Sequence, residues 1–373
     1  MNHTVIRIFV QVRNPNMEKY QGEFTVVGIM SGSSLDGVDL ALCRFIKTGS
    51  WSFSMIRSGI IPYSTEWKQR LKDAPSMAGQ ELIRTHAEYG HYMGTLVKKF
   101  VQQGNERIDF ISSHGHTVFH QPGKGFTFQI GDGAAVAAET ALPVVCDFRT
   151  TDVALGGQGA PLVPMGDRLL FGEYDFCLNI GGIANISTEI NNERIAYDIC
   201  PANQLVNRLA TSLGFEYDKD GELARKGNLN HDLLQKLNDF SYYRKTFPKS
   251  LGNENVSEYF FPILNESPCS IQDKLCTCTE HIAQQIAEAI NAEGSPVKSV
   301  LVTGGGAFNK FLIELIKEKT HHKVILPEAE IIKFKEAIVF AFLGVLRMRN
   351  EVNVLKSVTG AKRNSISGAV YYP

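Results

Sequence analysis

At 373 residues the chain is long for one core and suits two domains, and a formal net charge of −1 with 43% hydrophobic residues describes an ordinary soluble globular protein. No basic excess is available to attract nucleic acid, and no apolar run reaches the length of a membrane span. The seven cysteines are scattered: Cys276 and Cys278 form the only close pair, poor support for zinc without histidines at ligand spacing, so they read as reduced thiols of a cytoplasmic protein.

Residues 1–23 read as an N-terminal extension, a candidate for disorder. Their apolar patch, Val5–Val12, is interrupted by Arg7 and lacks a small-residue cleavage site, so it is a poor signal peptide, and Met17 could begin the chain equally well. The stretch Val26–Asp39, VVGIMSGSSLDGVD, then carries the signal around which the remainder is arranged. A short apolar run of strand type breaks into Ser31-Gly32-Ser33-Ser34-Leu35, and Asp36-Gly37-Val38-Asp39 leads into a second run, Leu40–Phe45. A plain hairpin needs only a two-residue turn. Here two glycines and three serines in residues 31–37 offer N–H groups and hydroxyls that can close around an anion.

Helical spacing follows over Trp67–Leu71 and Leu82–Val101, where His86 and His91 fall five apart, the wrong interval for two metal ligands on one helical face. The strand Ile108–Ser112 runs into Ser113-His114-Gly115-His116-Thr117, polar groups at a strand exit, where open α/β sheets bind ligands. Phe126–Ala138 gives a strand and a helix through Gly131-Asp132-Gly133. Pro143–Cys146 is a strand ending in Asp147-Phe148-Arg149, followed by Asp152 and the loop Gly156-Gly157-Gln158-Gly159-Ala160-Pro161. The composition shift there sets the expected domain boundary, with 24–148 as the first domain, completed by 350–373, and 149–349 as the second.

The second half repeats the theme of the first. Phe176–Ile180 is a strand, Gly181-Gly182 a turn and Ile183–Ile186 the return strand, so two strand, glycine turn, strand units lie about 150 residues apart and suggest an internal duplication facing one cleft. Ile195–Tyr197 leads into Asp198-Ile199-Cys200-Pro201-Ala202-Asn203 and a helix from about Gln204, which places Asp198 at a strand exit. After a long helix, Ile271–Glu293, the strand Ser299–Val302 opens on Thr303-Gly304-Gly305-Gly306-Ala307-Phe308-Asn309. The spacing fails a dinucleotide fingerprint, since Asn309 stands where the third glycine belongs, but suits a turn on which an adenine or ribose lies flat. A helix over Glu336–Arg349 and Ser357-Val358-Thr359-Gly360 finish the chain. There is no P-loop signature and no H-E-x-x-H, and the nucleophile elbow of a serine hydrolase misses its spacing by one residue.

Taken together, G-I-M-S-G-S-S-L-D-G-V-D, S-H-G-H-T, Q-I-G-D-G, D-F-R-T-T-D, G-G-Q-G-A-P-L-V-P, N-I-G-G-I-A-N, D-I-C-P-A-N, V-T-G-G-G-A-F-N and S-V-T-G-A resemble the anhydro-N-acetylmuramic acid kinase family from about Val26 to the C-terminus. The resemblance implies an α/β fold of two duplicated actin-like (ribonuclease H-like) ATPase domains with ATP in the cleft between them. It implies that Gly32, Ser33, Ser34, Leu35, Asp36, Gly37, Val38 and Asp39 form the first phosphate loop, Gly181 and Gly182 the second, and Gly304, Gly305 and Gly306 the adenosine turn. The family opens the 1,6-anhydro bridge of its amino sugar with water while the γ-phosphate of ATP moves to oxygen 6, as in peptidoglycan recycling. Asp198 matches the catalytic aspartate and Glu336 the substrate glutamate. Arg149 is the candidate for the lactyl carboxylate, and His114 and Asn203 complete the expected substrate contacts. Mg²⁺ is expected on the ATP phosphates with no direct protein ligand, near Asp36 or Asp39, and a homodimer is implied.

This chain departs from the family's usual D-T-G-P-G-N at Asp198–Asn203, where two glycines are lost, and has Asn207, His116 and Ser33 where an aspartate, a glutamine and a threonine are usual. Two other readings compete: a sugar kinase of the same superfamily acting on a free hydroxyl, and a non-catalytic protein that senses sugar in an ATP-dependent way.

Overall fold

The computed structural model describes residues 22–32, 35–291 and 296–373. The expected extension lies outside the described residues up to residue 21, as do Ser33 and Ser34. In chain order, β1 (Glu23–Ser31), β2 (Gly37–Thr48) and β3 (Ser50–Pro62) form an antiparallel meander. Helices α1 (Thr65–Asp73) and α2 (Gly79–Val101) lead to β4 (Phe110–Ser113), parallel to β1. A two-stranded ribbon, β5 (His116–Gln121) with β6 (Phe126–Ile130), and α3 (Gly133–Thr140) precede β7 (Val144–Cys146), parallel to β4. Two short helices, α4 (Thr150–Ala154) and α5 (Pro164–Leu170), cross to the second sheet.

There β8 (Phe176–Ile180), β9 (Ile183–Ile190) and β10 (Glu193–Pro201) repeat the meander. Between β10 and the next strand run α6 (Asn203–Thr211), α7 (Glu222–Arg225), α8 (His231–Asn238), α9 (Asn253–Asn255), α10 (Phe261–Glu266) and α11 (Ile271–Asn291). Strand β11 (Ser299–Thr303) lies parallel to β8, and α12 (Lys310–Lys319) joins it to β12 (Lys323–Ile325), parallel to β11. The chain ends in α13 (Ala329–Met348), α14 (Lys356–Thr359) and β13 (Ala369–Tyr371), the last antiparallel to β7. The sheet orders are β13-β7-β4-β1-β2-β3 and β10-β9-β8-β11-β12. Without β13 the two are one topology used twice: a meander whose first strand is flanked by two parallel strands.

Alternation in the strands explains the layering. Val27 and Ile29 of β1 face a core built with α2, whereas Phe24, Val26 and Met30 face another built with α13. The second sheet does the same: Phe176, Leu178, Val300 and Val302 face α6, α11 and α12, while Cys177 and Leu301 face the core of α13. Helix α13 therefore lies between the sheets. A helix apolar all round is a buried helix, and Phe334, Ile338, Phe340, Phe342 and Val345 meet that description. Its approach to β1 is so close that a Cβ at Gly28 would collide with the Ala337 carbonyl.

Three expectations change. Helix α13 begins at Ala329 rather than Glu336, so Glu336 sits in its third turn. Helix α13, which the expected boundary at 349 places in the second domain, packs chiefly on β1, β2 and β4, where its widest apolar face meets the first sheet. Strand β3, which the motifs left out, doubles the reach of the first meander, and the first domain starts at Glu23, one residue early.

Candidate active site

The first sheet contributes charged side chains at its strand exits. The β1–β2 hairpin carries Asp36 on its loop and Asp39 inside β2, opposite Met30. Partial burial, then the charges of Glu336 and Asp36, push the Asp39 carboxyl up from 3.8 to about 6. Glu336 is solvent-accessible yet closely surrounded by protein; burial raises its carboxyl, and Arg149 and then Lys335 oppose the rise. Asp36 and Glu336 are exposed and Asp39 is half-buried. Two surface depressions, of about 500 Å³ beside Arg70 and Glu88 and about 320 Å³ beside Tyr174 and Lys298, hold none of them.

Arg149, just past β7, is fixed on two sides: Nε donates to His114 Nε2 at 2.9 Å and Nη1 to the Gly159 carbonyl at 2.6 Å. Burial lowers its guanidinium to about 10, with Glu336 acting the other way. Since Nε2 of His114 accepts, its proton is on Nδ1, which donates to the Gly115 carbonyl at 2.9 Å. Burial and then the Arg149 charge hold this imidazole well below its ordinary pKa, so it is neutral. Both ring nitrogens are used. His114, expected at the substrate, thus holds the Arg149 guanidinium in place with one nitrogen and the Gly115 carbonyl with the other.

Gly159, in turn, is fixed by Asp152, whose Oδ2 accepts from the Gly159 N–H at 2.7 Å while Oδ1 accepts from the Thr359 hydroxyl at 2.7 Å. Under the hairpin, Ser31 Oγ pairs with Tyr63 OH at 2.6 Å and with His116 Nδ1 at 2.9 Å, and Tyr63 OH with Tyr89 OH at 2.5 Å. This buried relay tethers the end of β1 and the start of the hairpin loop to β5 and α2. Burial lowers His116 to about 4, so it is neutral there.

The second sheet contributes backbone. Gly304 has φ +81°, and a Cβ on it would lie 2.6 Å from Asn179 Oδ1 and 2.7 Å from the Ile180 carbonyl. Only a glycine lets the turn after β11 seat on the end of β8. The Asn203 amide donates to the Ile180 carbonyl at 3.2 Å, beside Gly305, and the Asn203 N–H donates to Gly181 at 3.1 Å. The structure thus brings Gly181, Gly182, Asn203 and Gly304–Gly306 together, with Asn203 tying the two glycine turns.

Asp198 is not at a strand exit but inside β10, where the register with β9 shifts between Asp198 and Cys200. Such a bulge re-aims a side chain, and no signal in the sequence marks it. Asp198 Oδ2 accepts from the Leu251 N–H at 2.8 Å, and its carbonyl accepts from Tyr242 OH at 2.6 Å. Lys249 stacks over Tyr242 and Tyr197 on the same loop. Burial raises the Asp198 carboxyl, opposed by the Leu251 hydrogen bond. Among the described residues no group of three His, Cys, Asp or Glu is placed to hold a metal ion.

A family model described as anhydro-N-acetylmuramic acid kinase matches residues 24–373. The chain belongs to the anhydro-N-acetylmuramic acid kinase family. It is 36% identical over 375 residues to the anhydro-N-acetylmuramic acid kinase of Francisella tularensis subsp. novicida, covering 93% of this chain and 98% of that one. The kinases of that name from Vibrio cholerae and Bacillus cereus are 36% and 31% identical, each covering 93% of this chain and 98% and 99% of their own. Among solved structures, an activator of 2-hydroxyisocaproyl-CoA dehydratase from Clostridium difficile with bound ADPNP is similar at 13% identity and a TM-score of 0.45, covering 88% of this chain and 96% of that one. Members of the chain's family are ATP-using kinases, and the activity fits a chain whose two sheets repeat one topology. Motif reading missed Lys335, Tyr63 and the Leu251 loop; of these only Lys335, beside Glu336, had a neighbour that drew notice.

Proposed function

We propose that Asp198 is the general base of the ring-opening half of the reaction. Water oxygen bonds to the anomeric carbon, its proton passes to the Asp198 carboxylate, the bond from that carbon to bridging oxygen 6 breaks, and oxygen 6 takes the γ-phosphoryl group as ADP leaves. No separate acid is required for the leaving oxygen, since phosphoryl transfer captures it. The observation that carries this reading is the fixed carboxylate at the β10 bulge: one oxygen is held by Leu251 N–H, and burial raises its basicity.

Glu336 holds sugar hydroxyls in this reading, and Arg149, with Nε and Nη1 already committed, presents Nη2 to the lactyl carboxylate. The residues of 32–39 and Gly181-Gly182 wrap the phosphates, and Gly304–Gly306 carry the adenosine. Mg²⁺ bound with ATP would neutralise phosphate charge, and the mutual repulsion of Asp36, Asp39 and Glu336 suits a cation held through water nearby. Seven free thiols, five of them buried, support a cytoplasmic setting, and among the described residues no helix is long and apolar enough to cross a membrane. The homodimer rests on family resemblance alone, and sedimentation of the purified protein tests it. The direct assay is sugar-dependent ADP release: wild type releases ADP only with the anhydro sugar, Glu336→Gln needs at least about tenfold more sugar, and equal ADP release without sugar defeats the reading.

A further inference from the structure

Between the two sheets, apart from the cleft, lies a buried cluster of charges that the reaction as described does not use. Lys335 Nζ sits 2.7 Å from Asp167 Oδ1 and 3.5 Å from the Thr303 hydroxyl. Asp167 Oδ2 accepts from Ser187 Oγ at 2.5 Å, and Ser187 Oγ accepts from Arg194 Nη2 at 2.8 Å; Arg194 Nη2 is 4.0 Å from Asp167 itself. All three charged residues are at most 5% exposed. Two cations face one carboxylate, so the cluster is one positive charge in excess. Asp167 Oδ1 meets the Lys335 ammonium as an ion pair outside directed hydrogen-bond geometry. Buried charge without a counter-charge is costly, and Glu336 follows Lys335 directly on α13, where the Lys335 charge opposes the upward push of burial on its carboxyl.

We propose that Lys335 is a positioning residue for sugar binding, holding the Glu336 turn of α13 against the exit of β11 and keeping a buried positive charge one residue from Glu336. This rests on the reading of Glu336 as the sugar-binding carboxylate. The geometry supports it from both sides: Asp167 of α5 and Thr303 of β11 pin the ammonium, and Thr303 immediately precedes the Gly304 turn. One side chain therefore fixes the sugar carboxylate and the adenosine turn in a common frame. The charged groups bearing on Glu336 are Lys335 on its own helix, Arg149 after β7 and Asp39 of β2, with Asp36 acting on Asp39. Of these, Arg149 and Lys335 favour the ionised form of Glu336.

The test is sugar affinity against pH, by calorimetry without ATP, in an Asp198→Asn background where neither turnover nor Asp198 titration intrudes. Affinity falls at low pH as Glu336 gains a proton. Removing the Lys335 charge raises the Glu336 pKa further, so in Lys335→Met this fall moves to higher pH by about one unit, a loss of about tenfold on the limb. Lys335→Gln, which keeps a donor for Asp167, shows the same shift if Lys335→Met fails to fold, and Lys335→Arg restores the limb. Glu336→Gln must abolish it. If Glu336→Gln leaves the limb intact, Asp39 or another acid owns it, and the assignment of Glu336 fails and takes this inference with it. If Glu336→Gln flattens the limb but neither neutral variant of Lys335 moves it, Lys335 is structural only and the inference alone is overturned.

Discussion

The two sheets share one topology and furnish it in opposite ways. At the first, the ends of the strands carry acids, an arginine and histidines: Asp36, Asp39, His114 and Arg149. At the second, the corresponding ends carry glycines, Gly181-Gly182 after β8 and Gly304–Gly306 after β11, with one acid displaced to the third strand by the bulge at Asp198. The hairpin loops differ likewise, a two-residue turn against the longer loop between Ser31 and Gly37. A scaffold of one topology used twice supplies two sets of strand exits, one furnished with charged side chains and the other with close backbone approach. On the function proposed above, Asp198 is the exception that makes the second wall reactive.

Breaking that exception has the largest expected effect. Asp198→Asn keeps size and hydrogen bonding but removes the base, so turnover should fall about 10²–10⁴-fold while ATP and sugar still bind, as measured by steady-state kinetics and calorimetry. An asparagine that leaves turnover within about tenfold would mean the acid is structural. Next comes the glycine wall. Gly304→Ala forces a Cβ against Asn179 and Ile180 at positive φ, and we expect a higher KM for ATP with about 1–3 kcal/mol of lost stability by denaturant titration. An unchanged KM would detach this turn from the nucleotide.

Thr359→Val tests whether the C-terminal segment holds the arginine wall. It removes the hydroxyl that donates to buried Asp152, so about 1–3 kcal/mol of stability should go and the sugar KM should rise through Gly159 and Arg149, with ATP KM unmoved. A rise in both constants together would show general loosening instead. The smallest effect is a gain. The folded protein holds a proton on Asp39 between pH 3.8 and about 6 that the unfolded chain has lost, so this group's contribution to stability declines as pH rises through that window and stays lowered above it. Asp39→Asn should therefore raise the melting temperature at pH 7 and leave it nearly unchanged at pH 4. Identical curves at both pH values would mean the acids do not repel.

Much of this contrast was legible in the sequence, and the reasons are local. Val26–Ser31 and Phe176–Ile180 read as strands because both faces are buried, and glycine pairs mark their turns whatever the tertiary context. Strand β3 could have been found from Trp51, Phe53 and Met55 alternating with serines. The start of α13 was hidden by Lys333 and Lys335, which look solvent-facing in a pattern, although Asp167 buries the second. Three features left no trace because they depend on distant partners: the bulge at Asp198, the use of both His114 nitrogens, and the charge cluster between the sheets.

The central claim is that the displaced acid of the second sheet works on water in the same event in which the sugar oxygen is phosphorylated. A single turnover in ¹⁸O-water, with the product sugar read by mass spectrometry for wild type and Asp198→Asn, tests it most directly. The account predicts one label on the anomeric oxygen, none in the phosphate, and a parallel loss of labelling and phosphoryl transfer in the variant. Label in the phosphate, a phosphorylated sugar without label, or a variant that still phosphorylates at the wild-type rate would contradict it.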